Sequence, residues 1–196
     1  MERIEGMDGV ILAGGRSRRM GTDKAALPWE NATLVERQAA RLAKVFGQVV
    51  VSAREPGRFA AVGLPVIADG ERPEAPIAGI AACLRALGRP VFVLAVDLPF
   101  VPISLIAGLS RELLDGSAPA VAPRASGKIQ CLCAGYRPAI LPLAERRIAR
   151  GLLSVHGLLE EAGGQVWDEA RWRALAPPTA FDNINTPQDY ETFRSR

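Results

Sequence analysis

The stretch Gly9-Val10-Ile11-Leu12-Ala13-Gly14-Gly15-Arg16-Ser17-Arg18-Arg19-Met20-Gly21-Thr22-Asp23-Lys24 decides how the rest of the chain is read. Val10 to Ala13 is a short apolar run with the length and β-branching of a buried strand. The paired glycines 14 and 15 let the backbone turn sharply and expose its N–H groups. Arg16, Arg18, Arg19 and Lys24 then place four cations within nine residues. Exposed amides beside clustered cations suit a polyphosphate better than a neutral ligand. The spacing is neither the Walker pattern Gly-x4-Gly-Lys-Ser/Thr nor the Gly-x-Gly-x-x-Gly dinucleotide fingerprint. A glycine turn with solvated arginines is the plainer alternative for the same residues.

Beyond this loop, strand and helix patterns alternate. Thr33 and Glu36 form a capping box, after which Val35, Ala39, Leu42 and Phe46 recur on one helical face, with Gly47 placed to end it. Strands are expected at Val49–Val51, Leu64–Ala68, Val91–Val96, Ala118–Ala122 and Cys131–Tyr136. Helices are expected over Ile77–Leu87, Leu105–Leu114, 138–149 and 152–162, and a last one from near Pro187. Such alternation predicts an α/β fold of three layers, α/β/α, around a mainly parallel sheet. In such sheets ligands gather beyond the carboxyl ends of the strands, where the glycine loop, Asp69 and Asp97 all fall. With no long linker or repeat, residues 8–196 read as a single domain preceded by a short extension, 1–7.

A chain of 196 residues buries a sizeable core, and 48% hydrophobic with 23% charged residues is ordinary globular composition. A net charge of +3 is too mild for nucleic acid, and no basic run with interleaved aromatics supports that partner. Cys83, Cys131 and Cys133 have no framework spacing, which reads as reduced thiols in a cytoplasmic protein. Cys131-x-Cys133 sits in an apolar run and reads as buried small hydrophobes sooner than half a metal or redox site. Residues 1–8 lack the apolar core of a signal peptide, and no apolar run approaches a membrane span.

Asp97 ends the apolar run Val93-Leu94-Ala95-Val96 and is placed to hold Mg²⁺, which shares its oxygen ligands with substrate phosphates. A cap of the following turn is its plainer role. Asp69 before Gly70 reads, from its residues alone, as an ordinary turn residue. His156 is the one histidine, and no Ser-His-Asp or Cys-His set can be assembled around it.

Leu12-Ala13-Gly14-Gly15-Arg16-Ser17-Arg18-Arg19-Met20-Gly21-Thr22-Asp23-Lys24 closely resembles the signature L-A-G-G-x-S-x-R-M-G-x-D-K of the MobA-type nucleotidyltransferases, which make molybdenum cofactor guanine dinucleotide. Further segments match: Asp97-Leu98-Pro99-Phe100-Val101 the family's D-x-P-F/Y-[VI], Pro76-Ile77-Ala78-Gly79-Ile80 its G-P-L-x-G-[IM], and Phe181-Asp182-Asn183-Ile184-Asn185-Thr186-Pro187 its F-x-N-[IV]-N-T-P. The resemblance implies a Rossmann-like nucleotidyltransferase fold and transfer of GMP from GTP to the terminal phosphate of molybdopterin-type cofactor, with Mg²⁺ on Asp97 and release of pyrophosphate. It implies catalytic roles for Arg19, Lys24 and Asp97. Nucleotide binding falls to Leu12, Ala13, Gly14, Gly15, Lys24, Ser52, Asp69, Gly79 and Asp97, and acceptor binding to Asn183 and Asn185. Molybdoenzyme apo-proteins or cofactor-delivery proteins are the partners it implies for the product.

Three departures bear on specificity. Val50-Val51-Ser52-Ala53-Arg54 stands where guanylyl enzymes often read V-V-N-A-N. The family's G-x-R-R-V is Gly151-Leu152-Leu153-Ser154-Val155 here, without its arginines, although Arg146, Arg147 and Arg150 stand just upstream. Its Q-P-L is Gln130-Cys131-Leu132. Gly15 favours the guanylyl enzymes over cytidylyl relatives, which typically read L-A-A-G. Two other readings stay open: cytidylyl transfer, or transfer to a different phosphate acceptor, and a nucleotide-binding accessory protein without catalysis.

Overall fold

Apolar side chains alternate along the central strands, and that alternation splits the core into two halves. The computed structural model describes residues 2–13, 24–29, 31–55, 57, 59, 62–70 and 73–194. In chain order these form β1 (Asp8–Leu12), the short ladder β2 (Pro28–Trp29) and β3 (Ala32–Thr33), α1 (Leu34–Leu42), β4 (Val49–Ala53), β5 (Val66–Ala68), α2 (Pro76–Leu87), β6 (Val91–Ala95), α3 (Ile103–Asp115), β7 (Ala120–Ala125), β8 (Lys128–Ile129), β9 (Cys133–Tyr136), α4 (Leu141–Ala149), α5 (Val155–Glu161), β10 (Gln165–Trp167), α6 (Glu169–Arg173) and α7 (Pro187–Arg194).

The main sheet runs β10-β7-β9-β6-β1-β4-β5, with β8 paired to β7. β1 is parallel to β4 and β6, β4 to β5, and β10 to β7, whereas β9 opposes both β6 and β7. Val10, Val50, Val91 and Val93 face α2, α4 and α5. Ile11, Val51, Phe92 and Leu94, on the other face, pack with α1, α3 and Trp172 of α6. Period-two alternation with apolar residues at both parities is what a strand covered on both faces requires.

The expected three-layer, mainly parallel arrangement is present. Several boundaries differ for local reasons. The capping box of α1 is complete: Thr33 N–H donates to Glu36 Oε2 at 2.7 Å, and Thr33 Oγ1 accepts from Glu36 N–H at 3.4 Å. The helix stops at Leu42 instead of reaching Phe46, because residues 43–46 tighten into a turn that lets Phe46 bridge Ile4. Ile4 and Met7 are thereby buried, so the expected extension 1–7 contributes to the core. β10 and α6 were not expected at all: three strand residues and five helical ones carry too little periodicity to register in sequence. All three cysteines are free and buried. Burial pushes the Cys83 thiol up to about 12 and that of Cys131 up to about 11, in keeping with inert core residues.

Candidate active site

The strand order reverses at β1, whose chain continues to β4 on one side before crossing to β6 on the other. The carboxyl ends of these strands are stitched together just past the sheet. Ala13 N–H donates to Ser52 O at 2.9 Å, and Val96 N–H to Leu12 O at 3.2 Å. Asp97 follows immediately, and its carbonyl accepts from Ile184 N–H at 3.1 Å.

Three segments remote in sequence converge here. Lys24 Nζ donates to Asn185 Oδ1 at 2.9 Å and lies 3.3 Å from Asp97 Oδ2. The Lys24 side chain is 16% exposed and that of Asp97 27%, so the pair is sheltered but open on one side. Asn185 owes its position to the start of α7. Its N–H and that of Thr186 both donate to Asp189 Oδ2 at 2.9 Å, while Asp189 N–H returns to Thr186 Oγ1 at 3.1 Å. The Asn185 backbone bond leads the causes that hold the Asp189 carboxyl below its usual range. Ile184 is buried and Phe181 packs edge-on against Trp172, anchoring the segment as its alternation implies; Asn183 is exposed.

Leu12, Ser52, Asp69 and Gly79 form a second group on the α2 side. A Cβ on Gly79 would lie 2.7 Å from Ser52 Oγ and 3.1 Å from Leu12 Cδ2, so this glycine lets α2 settle onto β1 and β4. Ser52 is fully buried beneath it. The Ser52 hydroxyl, expected on the nucleoside side, thus lies under α2, where the missing side chain of Gly79 leaves it room. Asp69 is half-buried at the end of β5, where desolvation raises its carboxyl pKa against the opposing pull of its own N–H and Arg54. Gly14, Gly15, Arg16, Arg18 and Arg19 lie outside the described residues.

The upstream arginines do not fill the gap after Gly151 equally. Arg147, 12% exposed, pairs with Glu161 at 2.5 Å, and its guanidinium presses on α5 so closely that a Cβ on Gly157 would meet Nη2 at 2.6 Å. Arg146 and Arg150 are exposed. Sequence reasoning also passed over Gln38 and Arg41 of α1, which bond the backbone around Asp97. Their signal was a glutamine on an apolar helix face. Burial lowers the Arg41 pKa to about 10, which leaves it charged at neutral pH.

Among the described residues no three His, Cys, Asp or Glu side chains gather as a metal cage. One sheltered, partly exposed carboxylate fits Mg²⁺, which is held by one or two carboxylates and completed by phosphates and water. No helix among the described residues is long and apolar enough to cross a membrane.

The mainly parallel sheet with helices on both faces is that of the Rossmann-like nucleotidyltransferases. Residues 9–164 match the family model of the MobA-like NTP transferase domain, and the chain belongs to that family. It is 36% identical over 187 residues to the molybdenum cofactor guanylyltransferase of Cereibacter sphaeroides, covering 92% of each chain. With the enzyme of the same name from Rhodobacter capsulatus it shares 34% identity, covering 96% of this chain and 95% of the relative. The crystal structure of molybdopterin-guanine dinucleotide biosynthesis protein A from Archaeoglobus fulgidus superposes with a TM-score of 0.82 at 25% identity, covering 96% of this chain and 97% of that one. CMP:2-keto-3-deoxy-manno-octonic acid synthetase shares the fold, with a TM-score of 0.74 at 14% identity, so the fold alone does not select the base.

Proposed function

We propose that this protein transfers GMP from GTP to the terminal phosphate of the molybdopterin-type molybdenum cofactor and releases pyrophosphate. The observation that carries the reading is the meeting of Lys24, Asp97 and Asn185 at the switch point. Relatives that align along nearly their whole length and bear the guanylyltransferase name support it. An acceptor phosphate oxygen attacks the α-phosphorus of GTP. The new P–O bond forms as the α–β bridging P–O bond breaks, and its electron pair leaves with pyrophosphate. The acceptor oxygen is already ionised at neutral pH, so the step needs positioning and charge neutralisation and no histidine base.

In this reading Lys24 exchanges Asp97 and Asn185 for phosphate oxygens, and Arg19 with the amides of Gly14 and Gly15 completes the cradle after Leu12 and Ala13. Asp97 would hold Mg²⁺, which supplies charge neutralisation on the phosphates. Asp69 meets the nucleoside side, while Ser52 and Gly79 shape its wall. Asn183 and Asn185 face the acceptor. Reduced, buried thiols accord with a cytoplasmic setting. Apo-molybdoenzymes or delivery proteins would receive the product.

Incubating the protein with Mg²⁺, molybdenum cofactor and equal GTP and CTP, and weighing the dinucleotide formed, tests donor, acceptor and reaction together. A guanine dinucleotide is the expected product. A cytosine product overturns the assignment from Gly15; no product beside an active control enzyme removes the acceptor.

A further inference from the structure

α1 buries Leu34, Val35, Ala39 and Leu42, and among them it fully buries the amide of Gln38. A primary amide is costly to bury unless its donors and acceptor are met. Gln38 Nε2 donates to Leu98 O at 2.9 Å and lies 3.5 Å from Ala95 O. Gln38 Oε1 accepts from Arg41 Nη1 at 2.7 Å, and that nitrogen also donates to Pro99 O at 2.5 Å. These carbonyls all flank Asp97.

The stretch held is a turn, closed by Leu98 N–H on Ala95 O at 3.2 Å, with Asp97 as its third residue. Past the end of β6 the ladder no longer supplies donors to these carbonyls, and Gln38 with Arg41 takes its place. Leu12 O grips Val96 N–H from the sheet side, and Ile184 N–H grips Asp97 O from the C-terminal segment. The backbone of Asp97 is thus fixed from three directions while its carboxylate is left facing Lys24.

We infer that Gln38, seconded by Arg41, is a positioning residue for Asp97 in the transfer step. It acts through the turn and not on substrate. The inference rests on the reading that Asp97 holds Mg²⁺ with the nucleotide phosphates. A displacement on the order of 1 Å at such a carboxylate costs about a hundredfold in rate.

The test uses the full chain with Gln38→Leu, which removes both donor and acceptor, and Gln38→Glu, which keeps the acceptor for Arg41 and loses the donor. Each is compared with Asp97→Asn and with the Gln38→Leu/Asp97→Asn double variant. Gln38→Leu is expected to lower kcat roughly ten- to a hundredfold, with KM for GTP within about threefold. Calorimetry with and without Mg²⁺ should show a smaller magnesium-dependent gain in GTP affinity, and in the Asp97→Asn background Gln38→Leu should add almost nothing. Amides 96–98 should exchange with deuterium faster than the change in global stability accounts for. Gln38→Glu, paired with Arg41⁺, keeps the fold and should repeat these losses.

A fall in Tm with unchanged kcat per folded molecule, or additive losses in the double variant, overturns the inference. Should the wild-type protein show no magnesium-dependent gain in GTP affinity, it is the functional reading that fails. Exchange at 96–98 then decides alone whether Gln38 holds the turn.

Discussion

Lys24 and Arg147 are both sheltered cations at the carboxyl edge of the sheet, yet they are built to opposite ends. β9 runs to the amino edge, α4 brings the chain back, and Arg147 sits just before the loop that sends α5 away again. Lys24 is shared between Asp97 and Asn185, two polar side chains of which one is negative and both are partly open. A phosphate that enters replaces those partners with others of the same kind. Arg147 is pressed on the α5 backbone and paired to Glu161, and its Nε is buried. Its side chain is only 12% exposed, while Glu161 stands half in solvent. A cation's chemistry depends less on its charge than on how replaceable its partners are.

The largest effect separates the two. Lys24→Ala should lower turnover by at least about a hundredfold. It should leave Tm nearly unchanged, since a partly exposed ion pair contributes only about 0–1 kcal/mol. Steady-state kinetics beside thermal melts check both halves, and near-normal activity would remove Lys24 from the mechanism. Arg147→Ala should leave turnover per folded molecule unchanged and cost about 1 kcal/mol of stability, through lost packing on α5 and the loss of its exposed pair with Glu161. A loss of acceptor affinity in Arg147→Ala would instead join this arginine to the site and dissolve the contrast.

Gly79 and Ser52 extend the sealed side of the comparison into the expected nucleotide wall. Gly79→Ala should destabilise by about 1–3 kcal/mol because its methyl meets Ser52 Oγ, and adding Ser52→Gly should restore most of that loss in denaturant melts. Failure of the second change to rescue would mean that Gly79 is kept for the ligand and not for α2.

Asp69 lies between the extremes, half-buried and with its carboxyl pKa raised. A carboxyl whose folded pKa exceeds its unfolded value binds more protons folded, so stability falls as pH rises above about 3.8 toward the raised value. Asp69→Asn should therefore raise Tm modestly at neutral pH, with the gain vanishing below pH 3.8. Equal gains at both pH values would assign the effect to something other than charge burial.

Much of this was legible because it is local. The run Val10–Ala13, the Thr33–Glu36 box, Pro76 opening α2 and the apolar run ending at Asp97 each carry their signal within a few residues. Phe181, Ile184 and Asn185 showed which side of their segment is anchored and which is free. The antiparallel sense of β9, the short β10 and α6, and the folding of Ile4 and Met7 into the core did not register, since each depends on a partner far along the chain. Gln38 on its apolar face looked like an ordinary helix residue for the same reason.

By itself the sequence determined the alternation of elements, the two-sided burial of the central strands, and the kinds of groups at the carboxyl edge. Spacing and residue type are enough for those, because backbone geometry repeats every two residues in a strand and every 3.6 in a helix. Only the tertiary structure decided which groups are available. It brought Lys24, Asp97 and Asn185 within hydrogen-bond reach, closed α2 over Ser52, locked Arg147 to Glu161 and set Gln38 behind Asp97. Availability is a matter of burial and partner, and both are properties of the packed chain.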